Sequence, residues 1–230
     1  MRHKNVWLIT AFSLIVCVLH AVMLQSPFNN YVYTSTFKVI AFLLCPLIYF
    51  KISKGRTVKE FFSLLSMNKD RKNIRFSFLL GFGVFAVIVA AFVIAQPFID
   101  QAMVAEALDS YGITRNNAVF VFFYIVLINA AVEELFFRGF IFMSLYNMNL
   151  KRYAHIFSSL LFALYHVTIL NAALAPGIFI LSIAGLVAAG LIFNALALRC
   201  KSIGGSLIVH ISANFALTLM IGAYYVFFIF

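Results

Sequence analysis

The sequence predicts an all-α, polytopic membrane bundle of seven to eight transmembrane helices with one interfacial amphipathic helix. Three observations carry this. Of 230 residues, 64% are hydrophobic and only 10% charged, with a mean hydropathy of +1.04. A soluble domain has about 45–50% apolar and about 25% charged residues, and a water-exposed sphere of this size cannot hide the excess. Apolar runs near the ~20 residues needed to cross a bilayer recur seven times along the chain. The basic residues fall into alternate connecting segments, as they do in multi-pass proteins. The same composition excludes a disordered chain, a coiled coil and a disulfide scaffold. Cys17, Cys45 and Cys200 lie in or beside apolar stretches and have no metal or redox spacing.

The candidate spans are 6–24, 34–50, 76–97, 117–144, 154–170, 177–198 and 203–221. Arg2 and Lys4 precede the first run, as in a signal peptide, but Met23-Leu24-Gln25-Ser26-Pro27 is no small-residue cleavage site, so it reads as an uncleaved span. The apolar tail 222–230 either extends the last helix or starts an eighth. Fourteen of the 17 Lys and Arg residues lie before the first span, between the second and third, and after the fourth and sixth. The intervening loops hold only Arg115. The positive-inside rule therefore places the N-terminus and all four basic segments in the cytoplasm. The net charge of +10 thus reports topology, and no nucleic-acid partner is expected. Between the second and third spans, Val58, Phe61, Phe62 and Leu65 share one helical face. The stretch 57–68 therefore reads as an amphipathic helix on the cytoplasmic surface, held there by flanking lysines and membrane lipid. There is no internal repeat and no room for a soluble domain, so residues 1–230 form one membrane domain.

Ionisable groups inside a span are costly and mark function. Five of the seven acids lie in loops; the other two, Glu133 and Glu134, are adjacent within the fourth span. Glu134 and Arg138 are four apart and can pair on one helix face. Glu133 lies about 100° round, in line with Asn129 one turn earlier. One carboxylate thus has a built-in counter-ion, and the other must face another part of the protein. His166 lies in the fifth span. His210 and Asn214 share a face of the seventh. His20, with no polar neighbour a turn away, reads as packing or interfacial. At about 1.5 Å per residue, Glu133, His166 and His210 lie roughly 20, 21 and 13 Å from their nearest cytoplasmic helix ends and can meet in one layer.

A carboxylate near a histidine can activate water, and a second histidine with an amide can hold an oxyanion. Together these make a hydrolase site for an amide bond. There is no Gly-x-Ser-x-Gly elbow and no His-Glu-x-x-His motif. One Glu and two His could hold zinc, which leaves a metallopeptidase variant open beside a site with no cofactor. Two other readings are a transporter or proton relay, and a catalytically inactive scaffold.

Glu133-Glu134-x-x-x-Arg138, Phe162-x-x-x-His166 and His210-x-x-x-Asn214 resemble the motifs of the CAAX protease and bacteriocin-processing family, also called the Abi family. The likeness runs from about 117 to 221 and includes Gly190, Asn194 and Gly204-Gly205 before the last motif. The N-terminal half carries no signature. The resemblance implies an intramembrane glutamate protease of the CAAX prenyl endopeptidase type. It makes Glu133 the catalytic carboxylate, His166 the residue that positions or activates water, and His210 and Asn214 the oxyanion donors. Glu134 and Arg138 become a supporting ion pair. It further implies a peptide or protein substrate with a membrane-associated segment, a role in peptide maturation such as bacteriocin processing, and residence in a bacterial cell membrane.

Overall fold

Long apolar runs form the helices, one of them with Pro46 in its interior, and polar caps set the starts of two. The computed structural model describes residues 2–26, 30–53, 58–65 and 70–228. Ten helical rods follow in order: α1 Arg2–Leu24, α2 Tyr31–Ser53, α3 Val58–Ser63, α4 Arg71–Ala95, α5 Gln101–Ser110, α6 Ala118–Asn147, α7 Lys151–Tyr165, α8 Val167–Ala173, α9 Pro176–Cys200 and α10 Gly204–Phe228. Asp70 and Asp100 cap α4 and α5 by accepting the backbone N–H groups of Lys72 and of Ala102 and Met103. Pro176 opens α9, where its missing N–H costs nothing. The chain is 88% helical, and no strand occurs among the described residues.

Seven helices among the described residues are long and apolar enough to cross a membrane: Asn5–Leu24, Tyr31–Ser53, Arg71–Phe98, Ala118–Asn147, Lys151–Leu170, Pro176–Cys200 and Gly204–Gly222. Each matches a run expected from sequence. The tail lengthens α10 as far as Phe228 rather than starting another helix. Large apolar side chains such as Trp7, Leu79 and Phe82 point outward, as they must where lipid is the solvent.

Within the amphipathic stretch expected over 57–68 a helix runs over Val58–Ser63, and 57 and 66–68 lie outside the described residues. Lys59 and Glu60 are exposed, but Phe61 is fully buried in the protein, against Phe50 and 3.5 Å from the Cβ position of Gly139. The Ile203 N–H then donates to the Leu64 carbonyl, tying this segment to the α9–α10 turn.

Helix α4 packs chiefly on α10, and α9 on α7 and α10. At Gly190 a Cβ would lie 2.9 Å from the Ser159 Cα, so the α7–α9 seam exists only with glycine there. Asn194 cements the seam by donating from Nδ2 to Ser159 Oγ at 3.0 Å. Gly190→Val should therefore destabilise the fold by about 1–3 kcal/mol, the usual cost of overpacking. A melting curve in detergent checks this; an unchanged midpoint would show that the helices separate freely there.

Candidate active site

Helix α6 positions the acidic pair and is wound unevenly to do so. Two π-helical stretches, Tyr124–Asn129 and Glu134–Phe142, flank the single α-turn Ala130–Glu133. Wide turns expose carbonyls that an α-helix would use internally, and such turns cluster at functional sites. Side chains from neighbouring helices take up two of these carbonyls. Asn214 Nδ2 donates to the Ile125 carbonyl at 2.9 Å, and Ser158 Oγ donates to that of Phe137 at 3.0 Å.

Glu134 and Arg138 pair as the spacing predicts, with Nη1 to Oε1 3.1 Å and both side chains fully buried. The guanidinium lies between two rings, 4.3 Å from the Phe162 centroid and 4.8 Å from that of Phe193. His210 Nδ1 donates to the same Glu134 Oε1 at 3.0 Å. A carboxylate oxygen only accepts, so the Nδ1 hydrogen is committed, and in the neutral form of the ring Nε2 carries the lone pair. His166 arrives at the same tautomer by another route. Its Nδ1 lies 2.7 Å from the Phe162 carbonyl, which can only accept.

Glu133 is buried, and its two oxygens have different surroundings. Oε1 receives the Tyr165 hydroxyl at 3.2 Å and lies 3.5 Å from the Lys38 ammonium. Lys38 also donates to Asn129 Oδ1, so it bridges two residues one turn apart on α6. Oε2 has no hydrogen-bond partner. It faces His210 Nε2 at 3.6 Å and His166 Nε2 at 3.9 Å. With both rings neutral, three acceptors converge on one point.

The structure thus brings Glu133, Glu134, Arg138, His166 and His210 together. Asn214 stands one turn beyond His210, with one amide hydrogen on the Ile125 carbonyl and the other uncommitted. Motif spacing does not mark Lys38 or Tyr165, which complete the site. His20 is buried against Tyr165 and Phe42, in agreement with a packing role. A groove of about 380 Å³ lies between the Tyr31 end of α2 and the start of α6, lined by Ser35, Val39, Phe120 and Tyr124 among others. The helices touch near the acidic pair and diverge beyond it, leaving an apolar gap on the flank of the bundle.

This donor set does not fit zinc. The Lys38 ammonium already lies beside the one carboxylate such an ion would share with the histidines, and the two cations would repel. Among the described residues no group of three or more His, Cys, Asp or Glu side chains has metal-holding geometry.

Residues 115–216 match the family model described as Type II CAAX prenyl endopeptidase Rce1-like. The matched segment, somewhat under half of the chain, is similar to that family. The Rce1-like segment holds Glu133, Glu134, Arg138, Tyr165, His166, His210 and Asn214, whereas Lys38 and His20 lie outside it. With seven helices long and apolar enough to cross a membrane among the described residues, the chain is an integral membrane protein, and its segment 115–216 is similar to the CAAX endopeptidase family. No curated protein and no solved structure matches it.

Proposed function

We propose that the chain is an intramembrane endopeptidase in which Glu133 activates water. The observation that carries this reading is the division of labour within one carboxylate. Oε1 is anchored by Lys38 and Tyr165, and Oε2 is left facing two imidazole lone pairs. A water among those three acceptors donates to two of them and turns its own lone pair outward. As its oxygen bonds to the scissile carbonyl carbon, one of its protons passes to Glu133 Oε2. The carbonyl oxygen takes the displaced electron pair, and the free N–H of Asn214 donates to it. Glu133 shares the proton with His210 Nε2, which then joins Asn214 as an oxyanion donor. Glu134 at Nδ1 supports the imidazolium so formed. The oxyanion's electron pair then re-forms the carbonyl as the C–N bond breaks, the proton goes to the leaving nitrogen, and the carboxylic acid so formed gives its own proton to the amine, leaving a carboxylate and an ammonium group.

The groove beside α2 and α6 suits a peptide or protein held in the membrane by an apolar segment, as in peptide maturation or bacteriocin processing. The test is cleavage, followed by mass spectrometry, of a farnesylated CAAX peptide and a set of single-span peptides by the purified chain in detergent. Wild type should release defined products, and Glu133→Gln should not. Asn214→Ala should lower kcat by about 10²–10³, the loss of one oxyanion donor. Activity abolished by a zinc chelator and restored by zinc would replace the water-activating glutamate with a metal site. A folded wild type that cleaves none of the peptides would count against the protease reading.

The whole chain acts in this reading as one membrane domain, 1–230, in a bacterial cell membrane with its N-terminus in the cytoplasm. Single cysteines at positions 26, 55 and 110, in a background with Cys17, Cys45 and Cys200 replaced, check the orientation. Only position 55 should react with an impermeant thiol reagent from the cytoplasmic side; labelling of position 26 from that side would reverse it.

A further inference from the structure

The Rce1-like segment alone does not balance the charge of its own site. Glu133 and Glu134 are two buried carboxylates, and Arg138 is the only permanent cation the segment places among them. The second cation comes from α2, which lies outside the matched residues. We propose that Lys38 is a positioning residue of the proposed reaction. Its ammonium offsets the carboxylate charge that Arg138 leaves unbalanced, and it fixes Glu133 so that Oε2 alone faces the water. This rests on the protease reading only for its kinetic consequence.

Geometry supports the assignment. Lys38 is itself buried, so its charge is not spent on solvent. It spans Asn129 and Glu133 on one face of α6 and so sets the rotation of the glutamate side chain. Its Nζ lies 6.0 and 5.9 Å from the ring centroids of Tyr124 and Tyr165, whose electron-rich faces favour a cation there. The titratable groups around Glu133 are Cys17 and His20 from α1, Tyr31 and Lys38 from α2, Tyr165 at the end of α7 and His166 just after it, His210 from α10, and Tyr124, Glu134 and Arg138 on its own rod. Lys38 and Arg138 are the two lysine or arginine side chains in this set. With Lys38 removed, two anions face one cation, and a low-dielectric site restores balance by taking up a proton. That proton settles on Glu133 or on a facing imidazole. In either place it occupies the path that must accept the proton of water.

Lys38→Met tests this, with Lys38→Gln in its place should the first not fold. Infrared difference spectra near neutral pH should show a new carboxylic-acid carbonyl band that Glu133→Gln removes, or ¹⁵N-histidine NMR should show a new imidazolium. Neither signal should appear in wild type or Lys38→Arg. On the farnesylated peptide, Lys38→Met should be slower near neutral pH by about 10–10³-fold, the effect of an opposite charge within ~4–6 Å on a proton equilibrium. It should regain rate as pH rises, while Lys38→Arg follows wild type. A folded Lys38→Met protein with no added proton, or with the same loss at every pH, would overturn the proposal. The spectra report on the proton whether or not the chain cleaves a peptide, so failure here is separable from failure of the protease reading.

Discussion

Glu133→Gln is expected to yield a folded protein whose turnover falls by about 10²–10⁴, the usual contribution of one positioned general base. The substitution is close to isosteric, and the geometry shows why the fold survives it. The glutamine carbonyl, placed at the Oε1 position, still accepts from Tyr165 and from Lys38. The amide nitrogen, at the Oε2 position, becomes a donor toward two imidazole nitrogens that carry lone pairs. The converging acceptors are thereby satisfied, but no group remains that takes a proton from water. Glu133→Asp separates charge from reach. It keeps the anion yet draws the carboxylate back toward α6, and a misplacement of about 1 Å costs on the order of 10²-fold. Rates on the cleaved peptide and a melting curve for each variant check both results. Turnover retained in Glu133→Gln would remove Glu133 from the chemistry, and a collapse in melting temperature would make the kinetic loss uninformative.

Most of the fold could be read from the sequence because the bilayer leaves few options. Each span was visible as an apolar run, and within α6 the pairing of Glu134 with Arg138 followed from four-residue spacing alone. The position of Phe61 was less legible. A phenylalanine on one face of a short basic segment reads the same whether it meets lipid or protein. What decides is the protein surface it meets, Phe50 and the backbone of α6 at Gly139, some 80 residues on, which the local pattern does not reveal. The wide turns of α6 were invisible for a similar reason. They depend on Asn214 and Ser158, from two other helices, taking the carbonyls that the turns release. Lys38 had a signal that charge sorting passes over. Three basic residues lie outside the cytoplasmic segments: Arg115 in a loop, Arg138 beside its glutamate, and Lys38 inside a span with no acid on its own helix. A lysine so placed needs an anion from elsewhere, and Glu133 was the intramembrane acid without a partner. Tyr165 had no such signal, because a tyrosine beside a membrane histidine is ordinary in so aromatic a chain.

Arg138→Ala should be among the most destabilising single changes in the bundle, and its effect should show first in stability. Removing the guanidinium leaves the Glu134 carboxylate buried with only the His210 Nδ1–H on Oε1 and nothing on Oε2. It also opens a gap between the Phe162 and Phe193 rings, which now hold the cation between them. Breaking a buried ion pair by deleting one partner costs about 3–5 kcal/mol. In a chain of this length that corresponds to a melting temperature lower by about 6–20 °C. Activity should fall too, because the carboxylate that Arg138 holds is the one that orients His210. The paired variant Glu134→Gln with Arg138→Met distinguishes the causes. It removes both charges, keeps an acceptor for His210 Nδ1 and refills the space between the rings, so most of the lost melting temperature should return. If Arg138→Ala instead melts like wild type while losing turnover, the ion pair is not what holds this layer together, and Arg138 acts on the substrate directly.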